Sequence, residues 1–493
     1  MSWREGYVTD VAYTRGVYLE TAPANLSACA LLGGVAAPDP RRPFRFLEFG
    51  CGAGMGVCLF AAANPHAEFV GVDFNPAHVA SARRLIAAAG LENARVEEAS
   101  FADVAAETGG GRGLGRFDYA VAHGVWTWVS RGVQADLVRA LDRTVAPGGL
   151  VYMGYNNMAG WAPVLPLQRL LIEHAQRTPG DSLAKVRAAL TFALGLRAAQ
   201  PRALDIERLE RVLERVGGDP ERAPPSILSY LAHEYLNEHW RPVFATELEA
   251  DLSDAKLSYV GPADPLSTLP QVSLTDAQAE AAAAYPDAAG ARRLADLLAP
   301  TPFRQDLFCR GPLPLAPQAR EAELRALRLR LVTPVEQIRL RLKVPSGELE
   351  LSEAAYRPLL DRLAQGPASV AELLQAVSAA GERMGATELL AVTLGSGWTA
   401  PEGRRPEGEA EGAALRERAR RYNLAMIDSM RDQPGTRMAL ASPVLGGGAA
   451  AAPVHVAALL HILGLHQPTE AEMEAVGETA KSSGDLWRAL EIL

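Results

Sequence analysis

The sequence predicts an α/β protein, a parallel sheet covered by helices, with a helical insertion and a C-terminal α+β region. Three observations carry this. From Phe44 onward, short apolar runs alternate with amphipathic segments. The stretch "LEFGCGAGMG" (47–56) sets a glycine-rich turn between the first run and the segment after it. "VGVDFNP" (70–76) then ends the second run on an acid, as a strand entering a ligand crevice does.

Taken in order, residues 1–35 read as helical and aromatic-rich, with Tyr7, Tyr13 and Tyr18, until Pro38, Pro40 and Pro43 break the pattern. The spacing predicts strands at Phe44–Phe49, Glu68–Asp73, Ala94–Glu97, Phe117–Ala122 and Leu150–Tyr155, with helices at Met55–Ala63 and Pro76–Ala89. Residues 1–160 form the first unit, and 161–240 read as a helical insertion that covers the crevice or dimerises. In 241–315, "TELEADLSDAKLSYVGPAD" gives a helix then a strand, and "FRQDLFCRG" a further strand, both completing the first sheet. Within 320–400, "LRLRLV" (327–332) and "IRLRLK" (338–343) alternate Leu or Ile with Arg or Lys. Each therefore presents one apolar and one basic face, the latter solvated or turned to an acidic partner. Helical segments near 352–364, 368–380 and 387–395 follow, an order that suggests a winged-helix-like unit. A Gly/Pro-rich charged linker at 401–413 precedes a last unit at 414–493.

A chain of 493 residues holds two to four domains, and its net charge of −9 argues against broad nucleic-acid binding. Cys29, Cys51, Cys58 and Cys309 include no C-x-x-C pair, so neither a disulfide framework nor a zinc site is expected. "HEYLN" (233–237) has Asn237 where a zinc-protease helix needs its second His, and His239 stands at the wrong spacing. No metal is expected there; a structural or dimer-interface role is. Without an apolar signal core or a run of membrane-spanning length, a cytoplasmic protein is the expectation.

The turn at 47–56 is not the usual G-x-G-x-x-G, because Met55 or Val57 occupies the sixth place. Its spacing is Glu48-x-Gly50-x-Gly52-x-Gly54. A carboxylate at Glu48 repels a pyrophosphate but pairs with a cation. Asp73 lies near the offset of an acid that binds ribose hydroxyls. The expected ligand is therefore an adenosine-type cation. S-adenosylmethionine, with its ribose, ammonium and sulfonium, has that chemistry.

"LEFGCGAG" followed by "VGVDFNP" resembles the first two motifs of class I S-adenosylmethionine-dependent methyltransferases. The resemblance implies that Gly50, Gly52 and Gly54 approach the methionine part and that Asp73, with Phe74 beside it, holds the nucleoside. In "EEASFAD", Ala99 replaces an acid common in the family, leaving Ser100 and Phe101 for the adenine. "YVTDVAYTRGVY", "HGVWTWVS", "GGLVYMGYNNMAGW", "HEYLNEHWRPVFATEL", "LSYVG" and, more loosely, "LASPVLGG" are similar to bacterial methyltransferases with a methyltransferase regulatory domain. The rickettsial protein lysine methyltransferases belong to this group, which implies accessory domains and often a dimer.

Strand ends place "AHGVWTW" (122–128) and "YNNMAGW" (155–161) beside the donor. His123, Tyr155 and Asn156 are the candidate catalytic residues, and Trp126, Trp128, Tyr155 and Asn156 the candidate acceptor-binding ones. His123 is both a candidate base, by its ordinary pKa of about 6.5, and a candidate cofactor contact. Alternatively it is a strand-end histidine bonded to backbone, and the tryptophans are core. Tyr13 and Tyr18 fold over the cofactor as a lid or pack as an ordinary helix. The absence of Asn-Pro-Pro-Tyr or Asp-Pro-Pro-Tyr after the fourth strand weighs against nucleobase acceptors. The expected activity is methyl transfer to protein lysines. Small-molecule or ribosomally made peptide acceptors are the alternative, and a non-enzymatic cofactor-binding regulator is a third reading.

Overall fold

The computed structural model describes residues 16–214, 218–429, 438–451 and 490. Seven strands form one sheet: β1 (Arg45–Phe49), β2 (Glu68–Asp73), β3 (Ala94–Glu98), β4 (Phe117–His123), β5 (Val145–Asn156), β6 (Leu257–Pro262) and β7 (Phe303–Arg310). Their spatial order is β3-β2-β1-β4-β5-β7-β6. The first five run parallel, and β7 lies antiparallel between β5 and β6. The late segments thus complete the first sheet. The order reverses between β1 and β4, which opens a crevice at their carboxyl ends.

Side-chain alternation sorts the sheet into two faces. Phe46, Phe69, Tyr119 and Tyr152 meet α1 (Pro23–Leu32), α2 (Met55–Ala63) and α3 (Pro76–Ala89). Leu47, Val70, Ala120 and Met153 meet α4 (Phe101–Ala106), α5 (Arg131–Thr144) and the helix Ala245–Ser253. α3 starts where Asn75 caps the Ala77 N–H at 3.0 Å with Pro76 at the first turn, and it stops at left-handed Gly90. α2, apolar on every side, is buried on every side.

Helices Leu165–Arg177, Ser182–Gly195, Ile206–Glu214 and Pro225–Leu236 share a core of their own with Trp128, Trp161 and Trp240. The two ends of this insertion are pinned together where the Met158 N–H donates to Val243 O at 3.0 Å.

Farther on, Arg328–Leu331 pairs antiparallel with Ala368–Ser369 and Thr399–Pro401. Helices Glu353–Ala364, Val370–Ala379 and Ala386–Gly395 pack on this small sheet. "IRLRLK" forms a strand only from Arg341, because Pro334 leads a short 3-10 turn through Gln337 that buries Ile338 instead. Arg328 and Arg330 both bond to Glu402, at 2.8 and 3.0 Å, so this basic face is met by the chain's own acid.

The long helix Glu409–Ser429 and the hairpin Met438–Ser442/Gly447–Ala451 close over α2, adding Tyr422, Met426, Ala439 and Ala441 to the core that holds Leu59 and Phe60. Among the described residues no helix is long and apolar enough to cross a membrane.

Candidate donor and acceptor site at the sheet's carboxyl edge

The glycine loop leaves β1 with Gly50, Gly52 and Gly54 at φ 68°, 53° and 69°. Every second residue takes the left-handed conformation that favours glycine, which accounts for the alternate spacing. A Cβ on Gly50 would lie 2.7 Å from Val125 Cγ2, and one on Gly54 2.7 Å from Ala82 Cβ. One on Gly52 would meet nothing within 4 Å, so that backbone faces open space.

Asp73, buried at the end of β2, fixes the loop. Its Oδ2 accepts the Gly52 N–H at 2.9 Å and its Oδ1 the Asn75 N–H at 2.8 Å. Gly50 and Cys51 donate to Val72 O at 2.8 and 3.2 Å. Glu48 is less settled. Its Oε2 is buried without a hydrogen-bond partner among the described residues. Burial pushes the carboxyl up to about 8, against the pull of the Val57 N–H, and the Asp73 charge adds to the rise. A buried carboxyl with one oxygen unpartnered among the described residues, beside an open glycine backbone and a ribose-type acid, fits an amino-acid-bearing nucleoside. Phe74, 37% exposed, stands just past Asp73.

At the third strand the fit is narrower. The Ser100 hydroxyl caps α4, accepting the Asp103 N–H at 3.1 Å and donating to Asp103 Oδ2 at 2.7 Å. Phe101 packs edge-on against Phe49, centroids 5.6 Å apart.

Glu48, Asp73, His123, Tyr152 and Asn156 fall at even register on one face of the sheet, toward α1. His123 Nδ1 bonds the Tyr152 hydroxyl at 2.8 Å, and the Tyr18 ring stacks on the imidazole at 3.5 Å. Burial pushes the His123 pKa down to about 3. Its partner is thus a phenol rather than backbone, and its basicity is too low for the expected proton-accepting role. Asn156 is buried with Nδ2 unpartnered among the described residues.

Tyr155 points the other way. It is fully buried, and its hydroxyl donates to Asp306 at 2.5 Å, within a chain of ion pairs through Arg304 to Asp296. Trp126 is fully buried on the α5 face, and its carbonyl accepts from Gln134. Trp128 lies in the insertion's core, 6.2 Å from Trp240. Neither the tryptophans nor Tyr155 opens to an acceptor, because neighbours enclose them from both sides. Tyr13 lies outside the described residues.

Sequence reasoning missed Tyr152, Glu20 and Gln305. Gln305 donates to Glu20 at 2.8 Å beside Tyr152 and Tyr18. Tyr152 was open to discovery from register alone, two strand positions from Gly154 and four from Asn156. Glu20 and Gln305 had no local signal.

A sheet ordered in this way, with a glycine turn after β1 and an acid ending β2, defines a class I methyltransferase. Residues 47–151 match the model described as a methyltransferase domain, and 228–310 the predicted methyltransferase regulatory domain. The chain is 30% identical over 463 residues to the uncharacterized protein sll1526 of Synechocystis, covering 91% of this chain and 86% of that one. It is 26% identical over 307 residues to the uncharacterized protein RP789 of Rickettsia prowazekii, covering 62% and 52% respectively. The chain belongs to the S-adenosylmethionine-dependent methyltransferases that carry a methyltransferase regulatory domain. Its fold matches PKMT2 from Rickettsia typhi, solved in complex with AdoHcy, with a TM-score of 0.67, 18% identity, and 98% and 99% of the two chains covered.

Proposed function

We propose that this protein transfers methyl groups to lysine side chains of another protein. The observation that carries the donor half is the buried Glu48 carboxyl, whose Oε2 has no hydrogen-bond partner among the described residues, beside the Gly50–Gly54 turn and Asp73. In this reading Glu48 receives the donor's ammonium, directly or through water, and Gly52 lets backbone approach it. Asp73 receives the ribose hydroxyls, while Phe74 and Phe101 flank the adenine. The donor supplies a methyl group on positively charged sulfur, open to in-line attack, so positioning provides much of the rate. Neutral His123, held by Tyr152 and covered by Tyr18, forms a dry wall beside the reacting centre. Likeness in fold to PKMT2 over nearly the whole chain supports a protein acceptor, and so does the large accessory structure around the crevice.

Mass spectrometry tests this after the protein is incubated with labelled donor and lysate of its own host. One-methyl mass increments on protein lysines are expected. Label confined to small molecules or short peptides overturns the lysine assignment.

A further inference from the structure

Segments far apart in the chain converge on His123. Strands β4, β5 and β7 set His123, Gly154 and Gln305 in one row across the sheet, on the face that carries Tyr152. A Cβ on Gly154 would lie 3.0 Å from His123 Nδ1 and 3.1 Å from both Phe303 Cζ and Tyr152 Oη. The Phe303 ring stands beside the imidazole, centroids 5.2 Å apart, and the Tyr18 ring stacks on it at 3.5 Å. Phe303 and Gln305 come from β7, in the regulatory-domain part of the chain.

Hydrogen bonds run through this group in one direction. Gln305 Nε2 donates to Glu20 Oε1 at 2.8 Å. Burial and the Glu20 charge hold the Tyr152 phenol above its ordinary range, and a hydrogen bond from the Gln305 amide opposes that rise. The two N–H groups of the amide thus serve the carboxylate and the phenol oxygen. A phenol oxygen that accepts from Gln305 has its own O–H left for His123 Nδ1, 2.8 Å away. Nδ1 is then the acceptor, and a neutral imidazole carries its single proton on Nε2. The ring is partly exposed, and no hydrogen bond reaches Nε2 among the described residues.

Glu48 lies on the same face, paired with Val121 two residues before His123. An amino acid carries its carboxylate on the carbon that bears its ammonium. A ligand whose ammonium meets Glu48 therefore needs a hydrogen-bond donor close by. Among the described residues the charge that bears on Glu48 is that of Asp73, another acid, so no basic side chain answers that need. We propose that His123 Nε2–H takes the carboxylate of the donor's amino-acid end, and that Glu20 and Gln305 are positioning residues that fix the tautomer able to do so. This rests on the Glu48 ammonium seat above. A neutral N–H also spares the positively charged sulfur the repulsion of an imidazolium.

The test uses the full chain with isotope-labelled histidine, free of ligand, in two-bond proton–nitrogen correlation spectra. The His123 signals are those absent from His123→Phe. The natural protein should show the Nε2–H pattern at neutral pH. Gln305→Met, close in length but unable to donate, should bring in the Nδ1–H pattern. Glu20→Ala, at a partly exposed position, should do so too, and decides the point where Gln305→Met does not fold. Calorimetry with S-adenosylhomocysteine and its decarboxylated analogue reads the carboxylate contact. His123→Phe should weaken S-adenosylhomocysteine about tenfold or more, as loss of a hydrogen bond to a charged group does, and leave the analogue unchanged. An Nδ1–H pattern in the natural protein, an Nε2–H pattern kept in both variants, or equal weakening of the two ligands overturns the proposal. A natural protein that shows the Nε2–H pattern yet binds neither ligand rejects the ammonium seat and the carboxylate contact with it, and keeps the positioning role of Glu20 and Gln305.

Discussion

Asp73 serves two masters, the loop amide of Gly52 and the expected ribose. Asp73→Ala should therefore weaken S-adenosylhomocysteine by about ten- to a hundredfold in calorimetry, the range set by losing hydrogen bonds to a charged group. Glu48 makes a sharper prediction. Its folded pKa of about 8 lies above the ordinary 4.5. Between those values the folded chain holds a proton that the unfolded chain releases. Stability from this group is thus full below pH 4.5 and is lost as pH climbs through 8. Glu48→Gln should raise the melting temperature of ligand-free protein by several degrees at pH 8 and flatten the decline below it. A cationic ligand pulls Glu48 into its ionised form. Titrations near neutral pH in buffers of different ionisation enthalpy should then show about one proton released by the natural protein and none by Glu48→Gln. The glycines, Glu48 and Asp73 were legible because their signal is local: left-handed turns favour glycine, and the two acids stand at short, fixed offsets from that turn. Ser100 was not, since capping and ligand binding ask for the same hydroxyl.

β1 to β4, α2 and α3 emerged from apolar runs and periodicity to within a residue, whereas β5 starts at Val145, five residues before the expected Leu150, and α4 and α5 were not foreseen. What periodicity alone did not decide is which face meets the ligand. Tyr155 and Asn156 are adjacent, yet only Asn156 shares a face with His123, and Tyr155 belongs to the Asp306–Arg304 network across the sheet. Tyr155→Phe should cost about 1–3 kcal/mol in denaturant unfolding by stripping Asp306 of a buried donor, while leaving S-adenosylhomocysteine affinity unchanged. Trp126 and Trp128 illustrate the same limit. Two tryptophans two positions apart fill two separate cores, one under α5 and one in the insertion. Nothing in their own neighbourhood distinguishes that from a binding pair.

Across the whole molecule, the helix Glu409–Ser429 is joined to the donor domain rather than appended to it. The Tyr422 hydroxyl donates to Met55 O at 3.4 Å, at the first turn of the helix that follows the glycine loop. Asn64 Nδ2 donates to Gly446 O at 2.7 Å, and Arg418 bonds Asn93. Tyr422→Ala empties a fully buried position and should destabilise the protein by about 3–5 kcal/mol. A loss of donor affinity should accompany it, measurable by calorimetry below the shifted melting point. The sequence carried no sign of this contact, because α2 is apolar on every side whichever partner covers it.

That clasp also orders the protein's birth. Tyr422 and Met55 are 367 residues apart, so the chain that leaves the ribosome first cannot finish its own core. β1 to β4 and the glycine loop emerge early, with the outer flank of α2 bare and adhesive until the distant helix arrives. Such distant pairing slows folding and prolongs exposure of apolar surface. The half-made chain should therefore be prone to aggregate during synthesis, and a fragment cut short before the clasp should carry that apolar flank exposed.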